Sequence, residues 1–266
     1  MPPSPQPWVR RCRTIFISDV HLGTKGCRAD LLLEFLAAHQ CRELYLVGDI
    51  IDGWCLKKNW YWDSSHNAVL QHVLKLAQTG TQVIYIPGNH DEFARSFGNL
   101  QFGAIRLVAD AIHQAADGRR YLVLHGDGFD CIINHARWLA FAGDWAYRFC
   151  LGLNRWVNLA RRAAGRPYWS LSAYLKLKVK NAVAFIGDFE SALVEEARRR
   201  NVDGVICGHI HHAALRDIDG IVYCNDGDWV ESCTGLIENL DGSMEIVRWV
   251  EERARAPLPL PVALAS

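Results

Sequence analysis

Thr14-Ile15-Phe16-Ile17-Ser18-Asp19-Val20-His21 is a short apolar run that stops on a carboxylate and an imidazole two positions apart. A run of that length, rich in β-branched and aromatic residues, reads as a buried strand. The same device recurs along the chain. Leu44–Val47 leads into Gly48-Asp49 and then Asp52; Val83–Ile86 leads through Pro87 into Gly88-Asn89-His90-Asp91. Tyr121–Leu124 leads into His125-Gly126-Asp127, and Gly204–Cys207 into Gly208-His209 and then His211. The acids and histidines therefore stand where strands end, which in α/β folds is where loops converge and sites are built.

Between these strands, Leu31–Ala38 and Val69–Ala77 carry helical spacing. After Gly208, strand-like runs at Ile221–Cys224, Thr234–Glu238 and Glu245–Val250 are separated by the turns Asp219-Gly220 and Asp241-Gly242. The pattern predicts an α/β sandwich of two packed sheets flanked by helices, over residues 14–250. Residues 1–13 and 251–266 read as disordered tails, the second because Arg-Ala-Pro-Leu-Pro-Leu-Pro suits neither a helix nor a central strand. Residues 131–200 have helical spacing throughout and interrupt the series between the His125 and His209 motifs, so they are expected to form an inserted helical cap.

The residue types narrow the chemistry. Asp19, His21, Asp49, Asn89, His125, His209 and His211 offer carboxylate, imidazole and one carboxamide, without thiolate. Such donors suit Mn²⁺, Fe²⁺, Zn²⁺ or Mg²⁺. Seven side chains exceed the roughly four that one tetrahedral ion takes and fit two ions sharing a bridging carboxylate. Two ions roughly 3.5–4 Å apart clamp the attacking and leaving oxygens of an in-line phosphoryl displacement and lower the pKa of the water between them. Asn89 ligates without adding negative charge, which leaves room for an anionic phosphate. Each residue alone has an ordinary reading as a turn cap or a satisfied core histidine; the ordered set does not. His90, beside Asn89, is the candidate catalytic group outside the ligand set: a protonated imidazole there stabilises charge on phosphoryl oxygens or protonates the leaving oxygen.

The ordered series Asp-x-His, Gly-Asp-x-x-Asp, Gly-Asn-His-Asp, His-Gly-Asp, Gly-His-x-His resembles the calcineurin-like metallophosphoesterase superfamily. The strings ISDVHLG, YLVGDIIDGW, YIPGNHDEF, LHGDGFD, CGHIHHA and NDGDWVES resemble one bacterial branch of it, the UDP-2,3-diacylglucosamine diphosphatases, over about residues 13–250. The resemblance implies that Asp19, His21, Asp49 and His211 hold one metal, that Asp49, Asn89, His125 and His209 hold the other, and that Asp49 bridges. It implies that Asp52 orients His90, although Asp52-Gly53 is also the composition of a turn cap. It implies a helical lid that shelters acyl chains. The chain departs from that branch at one position, with His90 where its well-studied members carry Arg.

Bulk properties set outer limits. Of the 266 residues half are apolar, the net charge is zero and the pI is near 7.2, so charge gives no argument for nucleic acid. Nine cysteines without a C-x-x-C pair read as reduced thiols in a cytosolic setting. Met1–Arg13 lacks an apolar leader core, and the apolar stretch Trp138–Leu153, broken by Asp144 and Arg148, falls short of the ~20 residues of a membrane span. Segment 131–187 sets nine bases, Lys176 and Lys180 among them, and four tryptophans against Asp144 alone. That composition suits contact with anionic lipid or phosphate at the cytoplasmic face of an inner membrane, or a solvated face. Trp54, Lys57 and Lys58 form a loop able to stack a base and neutralise a phosphate.

These expectations converge on hydrolysis of the diphosphate of UDP-2,3-diacylglucosamine to a lipid monophosphate and UMP, by attack of a metal-bridging hydroxide, with two divalent ions, Mn²⁺ foremost. Hydrolysis of another phosphomonoester or phosphodiester is the alternative, and a non-catalytic scaffold of the same fold a more distant one.

Overall fold

The computed structural model describes residues 9–129 and 171–255, with side chains over 9–129 and 185–255. The chain divides into two compact units, Met1–Asp127 with Val194–Ser266, and Gly128–Leu193. The sheets and the site belong to the first.

In chain order the strands are β1 (Arg10–Arg11), β2 (Thr14–Ile17), β3 (His39–Gln40), β4 (Glu43–Val47), β5 (Gln82–Ile86), β6 (Gln101–Phe102), β7 (Ile105–Leu107), β8 (Ala111–Gln114) and β9 (Arg120–Val123), followed by β10 (Gly204–Cys207), β11 (Ala214–Ile218), β12 (Ile221–Asn225), β13 (Thr234–Glu238) and β14 (Met244–Arg248). The helices are α1 (Ala29–Ala38), α2 (Gly53–Lys58), α3 (Ser64–Gln78), α4 (Leu171–Arg199) and α5 (Trp249–Arg255). A seven-stranded sheet has the order β14-β13-β2-β4-β5-β7-β6, a five-stranded sheet the order β11-β12-β10-β9-β8, and β1 pairs with β3 in a small ribbon.

The two-residue period of a strand splits the apolar residues between two cores. Ile15, Ile17, Leu44, Leu46 and Val83 pack with Leu32, Phe35 and Leu36 of α1 and Val69 and Val73 of α3 on the outer face of the large sheet. Phe16, Tyr45, Val47, Ile84 and Ile86 point the other way and meet Tyr121, Val123, Ile206 and Cys224 of the small sheet. These strands are buried on both faces, which explains why they read as continuous apolar runs. Phe16 is fully buried, and its truncation to Ala costs about 3–5 kcal/mol on the usual scale for such sites.

Parallel pairing then gathers the loops. Ile17 stands beside Leu46, and Val47 beside Ile86, so β2, β4 and β5 end side by side, with Asp19, Asp49 and Asn89 just beyond. In the small sheet Val123 stands beside Ile206, which brings His125 and His209 to one end in the same way.

Three expectations change. Residues 1–13 are not all tail: Arg10–Arg11 pair with His39–Gln40, Cys12 is buried, and Arg10 Nη2 meets Asn239 Oδ1 at 3.0 Å and Glu245 Oε2 at 2.5 Å. The expected strand Glu245–Val250 ends at Arg248, because the chain turns into α5 to bury Trp249 beside Phe35. Helix α5 also carries order to Arg255, where a tail from 251 was expected. Of the expected cap, residues 171–199 are the helix α4, and residues 131–170 lie outside the described residues. No described helix is long and apolar enough to cross a membrane.

Candidate metal centre

Asp19, His21, Asp49, His209 and His211 all adopt left-handed backbone conformations, with φ between 50° and 71°. Outside glycine that region costs roughly 1–2 kcal/mol per residue, with Asn, Asp and His the more tolerant types. The surrounding loops hold the strain: Asp19 N–H donates to Gly48 O at 3.0 Å and His21 N–H to Asp49 O at 2.9 Å. These conformations turn the side chains toward one another at the ends of the strands.

Two clusters result. In the first, His211 Nε2 lies 3.1 Å and His21 Nε2 3.9 Å from Asp19 Oδ1, and the two imidazole nitrogens are 3.4 Å apart, a separation that a proton or a cation must bridge. In the second, His125 Nε2 lies 3.5 Å from Asp49 Oδ2, with a ring nitrogen of His209 within 4.8 Å of both. Asp49 also groups with His21 and His90, so it stands between the clusters.

The residues fit a hard or borderline divalent cation on two observations. Asp19 Oδ1, Asn89 Oδ1 and His125 Nε2 are buried without an aligned hydrogen bond, a state that proteins otherwise avoid. Gly88 keeps the space between them open, since a Cβ there would sit 2.6 Å from His125 Nε2 and closer still to Asp49 Oδ1. All seven candidate ligands lie at this one end of the two sheets.

Charge follows the same logic. Burial pushes the Asp19 carboxyl up, but the adjacent His211 and the nearby His125 outweigh it and hold the group well below the usual carboxylate range. Asp49 is likewise lowered, against its burial, chiefly by His125. Burial alone would lower His125; the adjacent Asp49 carboxylate and the charge of Asp19 push it up to about 10, and His211 is raised in the same way by Asp19. The pocket thus favours positive charge, which a divalent cation held by these residues would supply in place of the imidazole protons.

A supporting layer orients these groups. His125 Nδ1 is 2.8 Å from Val47 O, so it carries the proton and leaves Nε2 as the lone-pair donor. Asp127 and Asp130 follow His125 closely in the sequence, which makes each a candidate for fixing this tautomer or a plain loop residue; Asp127 instead accepts from Arg95 Nη2, at 2.8 Å to Oδ1 and 2.7 Å to Oδ2. Asp130 lies outside the described residues. Asp52 divides its oxygens: Oδ1 caps α2 by accepting Cys55 N–H at 2.7 Å, while Oδ2 lies 3.2 Å from His21 Nδ1 and 3.0 Å from His90 Nδ1. The expected cap and the expected histidine contact coexist, and His21 is a partner that sequence reasoning missed. His90 presents Nε2 toward Asp49 Oδ2 at 3.9 Å and packs its ring on Trp54 at 4.3 Å.

Ser18 Oγ is 2.5 Å from both Asp19 Oδ2 and Asp226 Oδ1. One hydroxyl proton cannot serve two ionised carboxylates. Burial, opposed by the Ser18 bond and reinforced by Asp19, pushes Asp226 well above the carboxylate range, so Asp226 is the protonated partner. Asp228 caps the following turn, accepting Val230 and Glu231 N–H at 2.8 and 2.6 Å. Trp54 is half-exposed, and Lys57 and Lys58 are exposed on the last turn of α2. Lys176 and Lys180 lie on α4, and their side chains are outside the described residues.

The profile of the family described as calcineurin-like phosphoesterase matches residues 12–213. The chain belongs to that family. As a calcineurin-like phosphoesterase it is a metal-dependent phosphoester hydrolase, and its two-sheet α/β sandwich is a metallophosphoesterase fold. It is similar to the UDP-2,3-diacylglucosamine hydrolase of Neisseria gonorrhoeae, at 28% identity over 238 residues covering 85% of this chain and 93% of that one. It is also similar to the protein of that name in Porphyromonas gingivalis, at 25% identity over 250 residues covering 83% and 91%. Among solved structures, the phosphoesterase Yfce of E. coli aligns at 14% identity with a TM-score of 0.44, over 88% of this phosphoesterase and 98% of that chain.

Proposed function

We propose that this phosphoesterase hydrolyses the diphosphate of UDP-2,3-diacylglucosamine, yielding a lipid monophosphate and UMP. The observation that carries the chemistry is the pair of ligand clusters with Asp49 between them, grouped with His21 on one side and with His125 and His209 on the other. Asp19, His21, Asp49 and His211 would hold one divalent ion, and Asp49, Asn89, His125 and His209 the other. When bound, two such ions, Mn²⁺ foremost, supply Lewis-acid charge and a water of lowered pKa.

The chain's own residues do the rest. Asp52 holds His90 at 3.0 Å, and Trp54 covers one face of its ring. That arrangement would aim the ring at the phosphoryl oxygens, where an imidazole in its protonated form offsets developing charge or protonates the leaving oxygen. The half-exposed Trp54, with Lys57 and Lys58 a turn further on, offers a stacking surface and positive charge beside the diphosphate. The substrate rests on the relatives of that name and on the basic, tryptophan-bearing segment 131–187, which suits peripheral contact with anionic lipid.

His90 favours a second reading, the same chemistry on another phosphomonoester or diester, since it replaces the Arg of the diphosphatase branch. The deciding experiment is hydrolysis of UDP-2,3-diacylglucosamine by purified protein with Mn²⁺ and detergent, with Asp49→Ala as control. Metal-dependent UMP release, lost in the variant, supports the lipid substrate. Cleavage of bis-p-nitrophenyl phosphate without UMP release discards it and keeps the chemistry.

A further inference from the structure

Asp91 is a fully buried carboxylate at the centre of the site, and neither the ligand set nor the acid–base pair uses it. Its oxygens accept five hydrogen bonds. Oδ1 takes Gly88 N–H at 2.6 Å and Asp49 N–H at 3.3 Å. Oδ2 takes the Tyr85 hydroxyl at 2.5 Å, Ile50 N–H at 2.8 Å and Ile51 N–H at 3.4 Å.

Three successive backbone N–H groups, 49 to 51, therefore point at one carboxylate. They do so because Gly48 and Asp49 are both left-handed, with φ of 86° and 53°, which curls the turn into an anion-binding concavity. Asp91 occupies it permanently. In return His90 N–H donates to Asp49 Oδ1 at 2.8 Å. The side chain of Asp91 thus fixes the backbone of Asp49, and the backbone beside Asp91 fixes the side chain of Asp49. The bond to Gly88 ties the loop bearing Asn89 into the same clasp.

We propose that Asp91 is a positioning residue that sets the separation between the carboxylate of Asp49 and the carboxamide of Asn89, and so governs affinity for the ion those two would share. The inference rests on the metal-centre reading above. Without the anion the curled turn presents unpaired N–H groups, and Asp49 swings with it; the fold, held by the two cores, remains.

The test is Mn²⁺ titration followed by calorimetry and by the spin-coupled electron paramagnetic resonance signal of an ion pair, on wild type, Asp91→Asn and Tyr85→Phe, with melting curves of the metal-free proteins. Wild type is expected to bind two ions. Asp91→Asn is expected to fold and to bind one of them about 10–100-fold more weakly, the usual scale for losing a group that orients a ligand, so that the coupled signal appears only at higher Mn²⁺. Tyr85→Phe removes one of the five donors and should shift the same step by less. Wild-type affinity for both ions in Asp91→Asn overturns the proposal, even with a lowered melting temperature; if that variant does not fold, unchanged affinity in Tyr85→Phe overturns it. Wild-type protein that binds no Mn²⁺ would instead refute the metal reading itself.

Discussion

His125 donates its Nδ1 proton to the carbonyl oxygen of Val47 across 2.8 Å. Val47 closes β4, the strand that delivers Asp49, so one strand end supplies a carboxylate and also sets the tautomer of a histidine from the other sheet. Nε2, the ligand position once its proton is released, then faces the gap kept open by Gly88. Filling that gap is expected to be selective: Gly88→Ala should fold yet lose Mn²⁺ on the His125 side, along with phosphodiester hydrolysis. Metal content near the wild-type value in this variant would sink the placement.

His90→Ala is expected to lower turnover by about 10²–10⁴ with metal content unchanged, the ordinary scale for losing a general acid or charge-stabilising imidazole. The measurement is kcat on a generic diester beside metal analysis of the same sample. Wild-type turnover would remove His90 from the reaction.

Asp52→Asn separates capping from orientation. Asn caps a helix about as well as Asp, so the melting temperature should barely move. The contacts to His21 and His90 lose their charge, and Mn²⁺ affinity should fall about 10–100-fold, with turnover falling as well. Unchanged affinity would restrict Asp52 to the helix cap.

Far from the loops, His113 lies buried between Glu238 at 2.8 Å and Glu43 at 3.4 Å. Burial opposes its charge, but the two carboxylates win and raise its pKa above 6.5, while those of Glu238 and Glu43 fall below 4.5. The histidine's share of stability is complete below its unfolded pKa and fades as pH rises through the raised value. The glutamates' share is complete above their unfolded pKa and fades as pH falls through the lowered one. The cluster therefore contributes fully between about pH 4.5 and 6.5. His113→Gln should destabilise by about 3–5 kcal/mol within that window and by less above it, in urea titrations at several pH values. A pH-independent difference would contradict the assignment.

Chelation should lower the melting temperature. An ion present at about 100 times its Kd adds about 2.7 kcal/mol to the unfolding free energy. Because His125 stands at about 10 without metal, Mn²⁺ must displace a proton at neutral pH, and affinity should rise with pH. Calorimetry in buffers of different ionisation enthalpy reads that proton directly; equal heats across buffers would contradict it.

Much of this architecture was legible in the chain. Apolar runs such as Thr14–Ile17 and Gly204–Cys207 are buried on both faces, and polar residues at their ends mark a site because nothing else interrupts them. What escaped depends on backbone groups, which carry no letter in a sequence. The carbonyl of Val47 sets the tautomer of His125, and Asp91 binds chiefly backbone N–H groups, with the Tyr85 hydroxyl beside them. The pairing of Arg10–Arg11 and the helix after Arg248 escaped for a related reason. Both are short, and both are decided by contacts remote in sequence, Arg10 with Glu245 and Trp249 with Phe35.

The left-handed turns have a consequence for descent. Asp19, His21, Asp49, His209 and His211 each hold a conformation that glycine adopts freely. While the side chain is needed, the strain is retained. A lineage released from catalysis would gain roughly 1–2 kcal/mol at each such position by drifting to glycine. Decay of this centre should therefore leave a signature in which the ligand positions turn to glycine while Gly88, no longer obliged to stay small, acquires a side chain.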